Sequence, residues 1–121
     1  MGTKAGRSPR LPATFASDFV PRPTYKLRLT LPAELDFTDI IEHIAAENLT
    51  AAEKMIQRIE SRLSMLQRNP RLGSRVRDEN LALKGYRYLV IGPYLVFYRI
   101  EGRTIWVDRI LHGARDYLKL L

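Results

Sequence analysis

The chain has 121 residues, which fits one domain and excludes a multidomain enzyme or a two-lobed cofactor fold. Apolar residues make up 45% and charged residues 27%, so the chain can bury one modest core. The sequence contains no cysteine, which excludes disulfides, thiol catalysis and cysteine metal sites. No apolar run approaches the length of a membrane span and no signal-peptide core is visible, so we expect a cytoplasmic protein without a membrane partner.

The net charge of +7 is unevenly distributed along the chain. Residues 25–67 hold 5 basic and 7 acidic residues, whereas residues 68–121 hold 11 basic and 5 acidic residues. A clustered positive charge favours an anionic partner such as nucleic acid, the ribosome or an acidic protein segment. An ordinary solvated surface rich in arginine is the alternative interpretation.

Residues 1–24 contain four prolines and show neither a helical nor a strand period. We predict that they form a disordered or extended N-terminal arm and that residues 25–121 form the folded domain. Residues 25–31 alternate apolar and polar side chains, which predicts a half-buried strand.

Two amphipathic helices are expected after this strand. Pro32 suits the start of the first, whose apolar stripe runs from Phe37 through Ile40, Ile41 and Ile44. Thr50 and Glu53 have the spacing of a capping box at the start of the second helix, which Asn69-Pro70 ends. The pair should form an antiparallel hairpin that buries one set of apolar residues against a sheet: Ile40, Ile41, Ile44, Ile56, Ile59, Leu63 and Leu66.

The remaining sequence predicts three antiparallel strands. Residues 71–85 are interpreted as a basic loop, and strands follow at 86–91, 94–100 and 103–111, with turn signals between them. A short helix or turn is expected at 114–121. The element order β-α-α-β-β-β defines an α+β domain with a helical hairpin packed on an antiparallel sheet.

The candidate chemistry lies near the C-terminal end. His43 is interpreted as a helix surface residue, two histidines without cysteine do not suggest a metal site, and no cofactor motif is present. His112 is able to act as acid or base near neutral pH, arginines are able to stabilise a phosphorane, and Tyr117 is able to stack on a base. These residues suit either of two roles, metal-independent RNA cleavage or, the interpretation that residue types alone favour, protection of strand edges against aggregation. The set comprises Lys84, Arg87, Arg99, Arg109, His112, Arg115 and Tyr117.

The order of these motifs resembles the RelE/ParE toxins of type II toxin–antitoxin systems. The similarity rests on Ala33-x-x-Asp36-Phe37, on Leu66-x-x-x-Pro70-x-x-Gly73, on Gly85-Tyr86-Arg87-x-Leu89 continuing through Ile100, and on Val107–Asp116. The ending His112-Gly113-Ala114-Arg115-Asp116 is most similar to the ParE branch. The resemblance implies a small basic toxin that is neutralised by a cognate antitoxin and reaches operator DNA only through it.

The two branches of the family imply different targets. RelE-like members cut mRNA on the ribosome, and the resemblance then implies Arg87, His112 and Tyr117 as catalytic residues. The lysine pair that RelE-like toxins carry before Gly-Tyr-Arg falls near Asp78 and Asn80 here, which disfavours this branch. ParE-like members inhibit DNA gyrase without hydrolytic chemistry of their own.

Three hypotheses therefore remain open. The favoured one is a ParE-like toxin without enzymatic activity, which binds gyrase and its antitoxin through a basic surface of Arg87, Arg99, Arg109, His112 and Arg115. The alternatives are a ribosome-dependent mRNA endonuclease and an inactive or decayed toxin that acts as an interaction module.

Overall fold

A computed structural model describes residues 24–113 and 120–121. Its strands are β1 (Lys26–Leu29), β2 (Ser74–Arg75), β3 (Arg87–Ile91), β4 (Tyr94–Glu101) and β5 (Thr104–His112), and its helices are α1 (Leu31–Glu47), α2 (Leu49–Arg68) and α3 (Glu79–Leu83). The predicted N-terminal arm, apart from Thr24, and most of the predicted C-terminal helix or turn, with Arg115 and Tyr117, lie outside the described residues. The α+β architecture is the predicted one, and the strand limits agree to within two residues.

The five strands form one sheet in the order β1-β5-β4-β3-β2. The predicted three-strand meander is confirmed, and the turn between β3 and β4 is the two residues Gly92-Pro93, with Gly92 at a φ of +56°. Glycine tolerates this left-handed conformation at the first position of a tight hairpin turn. The sheet is mixed rather than wholly antiparallel, because β1 pairs in parallel with β5 after a crossover through the helices.

Both long helices begin at side-chain caps. The Thr30 hydroxyl accepts a hydrogen bond from the Ala33 N–H at the start of α1 and donates one to the Asp108 carbonyl at 2.9 Å. The capping box predicted at Thr50 is wrong, since α2 starts earlier. Its cap is Asn48, whose side-chain oxygen accepts from the Ala51 N–H at 3.0 Å while its own N–H closes the last turn of α1. Asn48, in an extended conformation, thus caps both the end of α1 and the start of α2.

The main core lies between the helical hairpin and one face of the sheet. The predicted burial is confirmed for Ile59, Leu63 and Leu66 of α2, which meet Ile91, Val96, Tyr98, Ile105 and Val107 of the sheet. The prediction is wrong for Ile40, Ile41, Ile44 and Ile56, which are only half-buried. The only fully buried residue of α1 is Ala33, while Phe37 and Ile40 pack against this core and stay partly exposed.

The segment 71–85, predicted as a loop, contains β2 and α3. Asp78 caps α3 by accepting from the Leu81 N–H at 3.0 Å. Leu81 and Val76 then cover Phe97 and Leu111 on the sheet face opposite the long helices. Elements of two and five residues are too short to show a hydrophobic period, which is why the sequence pattern did not reveal them.

No helix in the described part of the chain combines the length and the apolar character that a membrane span requires.

Candidate functional site

Arg87 is bound to the segment that follows α2. It pairs with Tyr98 across β3 and β4, so both side chains lie on the helix side of the sheet. Its guanidinium donates to the carbonyls of Gly73 at 3.2 Å and Arg71 at 3.4 Å. The neighbouring Tyr98 hydroxyl donates to Pro70 O at 2.7 Å and accepts from the Gly73 N–H at 3.0 Å. This guanidinium therefore helps to hold the 70–73 turn.

Burial raises the pKa of the Tyr98 hydroxyl, which keeps it protonated as the donor to Pro70. Gly73 is required beside it. A Cβ at this position would lie 2.5 Å from the Tyr88 carbonyl oxygen and 2.7 Å from the Tyr98 hydroxyl oxygen. The glycine of the predicted Pro-x-x-Gly pattern is thus explained by a close approach of the chain to the sheet.

Arg99 lies on the opposite sheet face from Arg87. Its Nε donates to Asp108 Oδ2 at 2.8 Å, and the guanidinium also pairs with Glu101. Asp108 is 9% exposed, and its other carboxylate oxygen has no hydrogen-bond partner in the described structure. Burial and then the adjacent Asp108 raise the pKa of Tyr86, which faces the same carboxylate.

Arg109 joins β5 to the first helix. Its Nε and one terminal nitrogen donate to the two carboxylate oxygens of Asp36 at 2.7 and 2.8 Å, and Asp36 Oδ2 also accepts from the Ile110 N–H at 3.0 Å. The hydrogen bond to Asp36 raises the pKa of the guanidinium. The Asp36 carboxylate therefore satisfies both a charged side chain and a strand N–H that lies beyond the end of β1.

His112 ends β5 on the exposed surface. Its ring packs edge-to-face on Tyr94, with the centroids 5.9 Å apart. His43 is exposed on α1, in agreement with its predicted surface role. Among residues 24–113 and 120–121, no three histidine or carboxylate side chains group as metal ligands.

The structure does not bring the candidate site residues together. Arg87 and His112 lie on the helix side of the sheet and Arg99 and Arg109 on the other side, while Arg115 and Tyr117 are outside the described residues. Arg87 is opposite Tyr98 and His112 is opposite Tyr94, four residues apart along β4 and two strands apart across the sheet. Strand geometry places their Cα atoms roughly 16 Å apart.

An apolar groove on the helical hairpin was missed at the sequence level. It has a volume of about 230 Å³ and is lined by Phe37, Thr38, Ile41, Glu42 and Ile56. The signal that points to it is the width of the α1 stripe, which exceeds what one sheet face covers. Leu35, 56% exposed, and Leu31, 66% exposed, extend the apolar surface toward the start of α1.

Comparison with known proteins identifies the family. A family model described as the ParE toxin of the type II toxin–antitoxin system parDE matches residues 27–117. The chain belongs to the ParE toxin family of type II toxin–antitoxin systems. Toxin ParE3 of Caulobacter vibrioides is 32% identical over 88 residues, which cover 72% of this chain and 85% of that protein. The predicted ParE branch is thereby confirmed.

Two solved structures extend the comparison of this ParE-family toxin. The chromosomal ParDE toxin–antitoxin system of P. aeruginosa matches with a TM-score of 0.61 and 25% identity, covering 74% of this chain and 96% of that one. The toxin–antitoxin complex RelBE2 of Mycobacterium tuberculosis matches with a TM-score of 0.53 and 29% identity, covering 74% and 99%. The fold is therefore shared by both branches.

The ParE-family toxin differs from the RelE pattern where that pattern places its lysine pair. Asp78 and Asn80 occupy this region, and Asp78 uses a carboxylate oxygen to cap α3. A helix cap thus stands where RelE-like toxins have cations, and Lys84 lies exposed at the end of the same helix.

Proposed function

We propose that this ParE-family toxin inhibits DNA gyrase by binding it and that a cognate antitoxin keeps it inactive. The observation that carries the proposal is the placement of the cationic residues. The described candidates for RNA cleavage are divided between two sheet faces, and their arginines are engaged by acceptors of the chain itself. Such an arrangement argues against a catalytic centre, and it also divides the predicted basic surface between two faces, so that no one face carries all of these cations.

The spacing of Arg87 and His112 supports the same conclusion. General acid–base catalysis needs both groups within hydrogen-bond reach of one reacting phosphate. The Cα atoms are roughly 16 Å apart by strand geometry, and the Arg87 guanidinium is directed to Gly73 and Arg71 rather than toward His112, so the two groups do not converge on one phosphate.

The groove on the helical hairpin supports an antitoxin partner. Ile41 and Ile56 are half-buried at a concave surface, the geometry that accepts the apolar face of an amphipathic helix. The net charge of +7 favours an acidic partner segment and speeds its association. Both structural neighbours are toxin–antitoxin systems, which supports a neutralised complex for this chain as well.

A supercoiling assay with purified gyrase tests the target. Antitoxin-free toxin should inhibit supercoiling at micromolar concentration or below, and addition of the antitoxin encoded beside it should restore activity. Full supercoiling in the presence of excess folded toxin would remove gyrase as the target. The proposed target also implies that the toxin acts in the cytoplasm.

The antitoxin surface is tested by Ile41→Glu. A charge in the groove should weaken antitoxin binding by at least tenfold, since it desolvates a carboxylate against an apolar helix. His43→Glu, an exposed change on the same helix with the same new side chain, is the matched control. Equal affinity of both variants for the antitoxin would place the interface elsewhere.

The endonuclease and the inactive-module alternatives are separated by induction in cells. Growth arrest with intact message supports the proposal, and codon-specific cuts in translated message would contradict it. His112→Ala is the informative variant, because His112 is exposed and its removal leaves the core intact. Normal growth without the antitoxin would instead identify an inactive interaction module.

A further inference from the structure

A cleft of about 600 Å³ lies at the end of the sheet where β5 begins, away from the helical groove. It is lined by Arg68 at the end of α2, Arg71 just after that helix and Arg103 in the turn between β4 and β5. Its apolar floor is formed by Tyr25, Pro70 and Ile100, and none of its lining residues is acidic. The cleft thus combines three guanidinium groups with a ring-bearing floor.

Two of these arginines have no carboxylate partner within the described residues. The ion pairs of this part of the chain involve Arg99 and Arg109, not Arg68 or Arg71. Arg103 lies over the Tyr25 ring, with its guanidinium carbon 4.3 Å from the ring centroid. Like charges that share a cleft repel one another, so an anion bound between them stabilises the arrangement.

The topology adds further positive charge at this end of the sheet. β1, β3 and β5 all start at this end of the sheet and β4 finishes there. Lys26, Arg75 and Arg87 therefore lie at the same end of the sheet as the cleft. The acidic residue at this edge, Glu101, is paired with Arg99. This end of the sheet therefore carries further basic residues beside those that line the cleft.

We propose that this cleft binds single-stranded nucleic acid. Arg68 and Arg71 hold backbone phosphates through the planar fork that suits phosphate oxygens. One base stacks in the cleft on the Arg103 guanidinium, which itself lies over the Tyr25 ring. The apolar floor favours this ligand over an acidic peptide, whose carboxylates use only the rim. It also favours a single strand over a duplex, because only an unstacked base reaches the floor.

The site is separate from the groove assigned to the antitoxin. Ile56 and Arg68 are both on α2, and a helical rise of 1.5 Å per residue separates them by about 18 Å. The nucleic-acid site therefore does not depend on the antitoxin groove, and its test by single-strand binding has a readout distinct from the supercoiling assay.

Fluorescence anisotropy with the full chain tests the site, using labelled oligothymidine and oligouridine of about 12 nucleotides and a duplex of the same length. Arg68→Gln/Arg71→Gln should weaken single-strand binding at least tenfold. It should also reduce the slope of log affinity against log salt by about 1.4, or about 0.7 for each lost phosphate contact. Tyr25→Leu should weaken single-strand binding by ~5-fold or more and leave the duplex unaffected.

Lys54→Gln/Arg58→Gln removes the same amount of charge, from α2 outside the cleft, and is the matched control. It should leave the salt slope unchanged, and circular dichroism verifies that all variants fold. Equal losses in the cleft and control variants would overturn the proposal. So would a duplex that binds more tightly than the single strands, or oligoglutamate that competes equally and depends on Arg68 and Arg71. Binding of either single strand supports it, and the difference between the two assigns the preferred sugar.

Discussion

The ion pair between Asp36 and Arg109 makes the sharpest prediction about the fold. The two side chains are 12% and 19% exposed, and the pairing is bidentate. In Asp36→Ala, the guanidinium loses its carboxylate and the Ile110 N–H loses its acceptor at the same time. The variant therefore leaves a largely buried guanidinium with only the Leu120 carbonyl as acceptor, at 3.4 Å, and a strand N–H without a partner.

Breaking a buried ion pair by removing one partner costs about 3–5 kcal/mol, and the residual exposure of both groups places the expected loss near the lower value. A loss of ~3 kcal/mol is a large share of a total stability of roughly 5–15 kcal/mol. For a domain of this size it lowers the melting temperature by about 10 °C. Arg109→Leu should cost somewhat less than Asp36→Ala, because the Asp36 carboxylate then keeps the Ile110 N–H as a donor, whereas Asp36→Ala removes the acceptor of both groups.

Urea unfolding of the two single variants and the double variant measures the coupling directly. We expect a coupling energy of at least ~1 kcal/mol, because both variants remove the same hydrogen bonds. Arg99→Ala, which removes an arginine of the neighbouring strand β4, is the comparison variant for the effect on stability. Independent effects of Asp36 and Arg109, or an Arg109 variant that keeps full stability but loses toxin activity, would refute the structural role and restore Arg109 as a surface residue.

Three further predictions concern the core and the turn after α2. Tyr98→Phe should cost about 2–4 kcal/mol in urea unfolding, because the Gly73 N–H and the Pro70 carbonyl lose their partner. The pKa of Tyr98 is raised in the folded state, so its contribution to stability is complete below about pH 10 and is lost as the pH rises through the folded-state pKa. The parent protein should therefore lose stability more steeply in alkali than Tyr98→Phe. Parallel curves of stability against pH for the two proteins would contradict this. Gly73→Ala should be strongly destabilising in thermal melts, since its Cβ would meet a backbone oxygen at 2.5 Å, and an unchanged melting temperature would show that the turn relaxes freely. Ile59→Ala should cost about 2–5 kcal/mol, whereas Ile44→Ala at the half-exposed rim should cost roughly 1 kcal/mol or less, and equal costs would show that the two positions are equally buried.

The elements predicted from the sequence were those with a clear period or a strong turn signal. The α2 stripe identified Ile59, Leu63 and Leu66 as core residues, and Gly92-Pro93 identified the hairpin between β3 and β4. The N-terminal end of α2 was misplaced because two good caps lie two residues apart, at Asn48 and Thr50, and tertiary context selects between them. The alternation of apolar and polar residues in β1 did not predict that it pairs in parallel with β5, because strand direction depends on the crossover through the helices.

The candidate site was less predictable than the fold, because residue type does not reveal which group a charge is paired with. Arg87, Arg99 and Arg109 follow the family pattern, yet their hydrogen bonds go to carbonyls of the 71–73 segment, to Asp108 and to Asp36. These acceptors are between 9 and 73 residues away in sequence. The proposed cleft was hidden for the same reason, since Tyr25, Arg68 and Arg103 meet only when the sheet forms.

The separation of the groove and the cleft has a consequence for the neutralised state. An antitoxin helix that fills the groove of Phe37, Ile41 and Ile56 covers one end of the hairpin, whereas Arg68 and Arg71 lie about 18 Å away along α2. Neutralisation through the groove alone therefore leaves the basic cleft open to nucleic acid. If an acidic segment of the antitoxin instead continues along α2, it competes with nucleic acid for Arg68 and Arg71. The affinity of the antitoxin for the toxin should then fall as salt rises, and this salt dependence should be weaker when Arg68 and Arg71 are replaced. The salt dependence of the toxin–antitoxin complex, measured in the parent protein and in Arg68→Gln/Arg71→Gln, distinguishes these two arrangements.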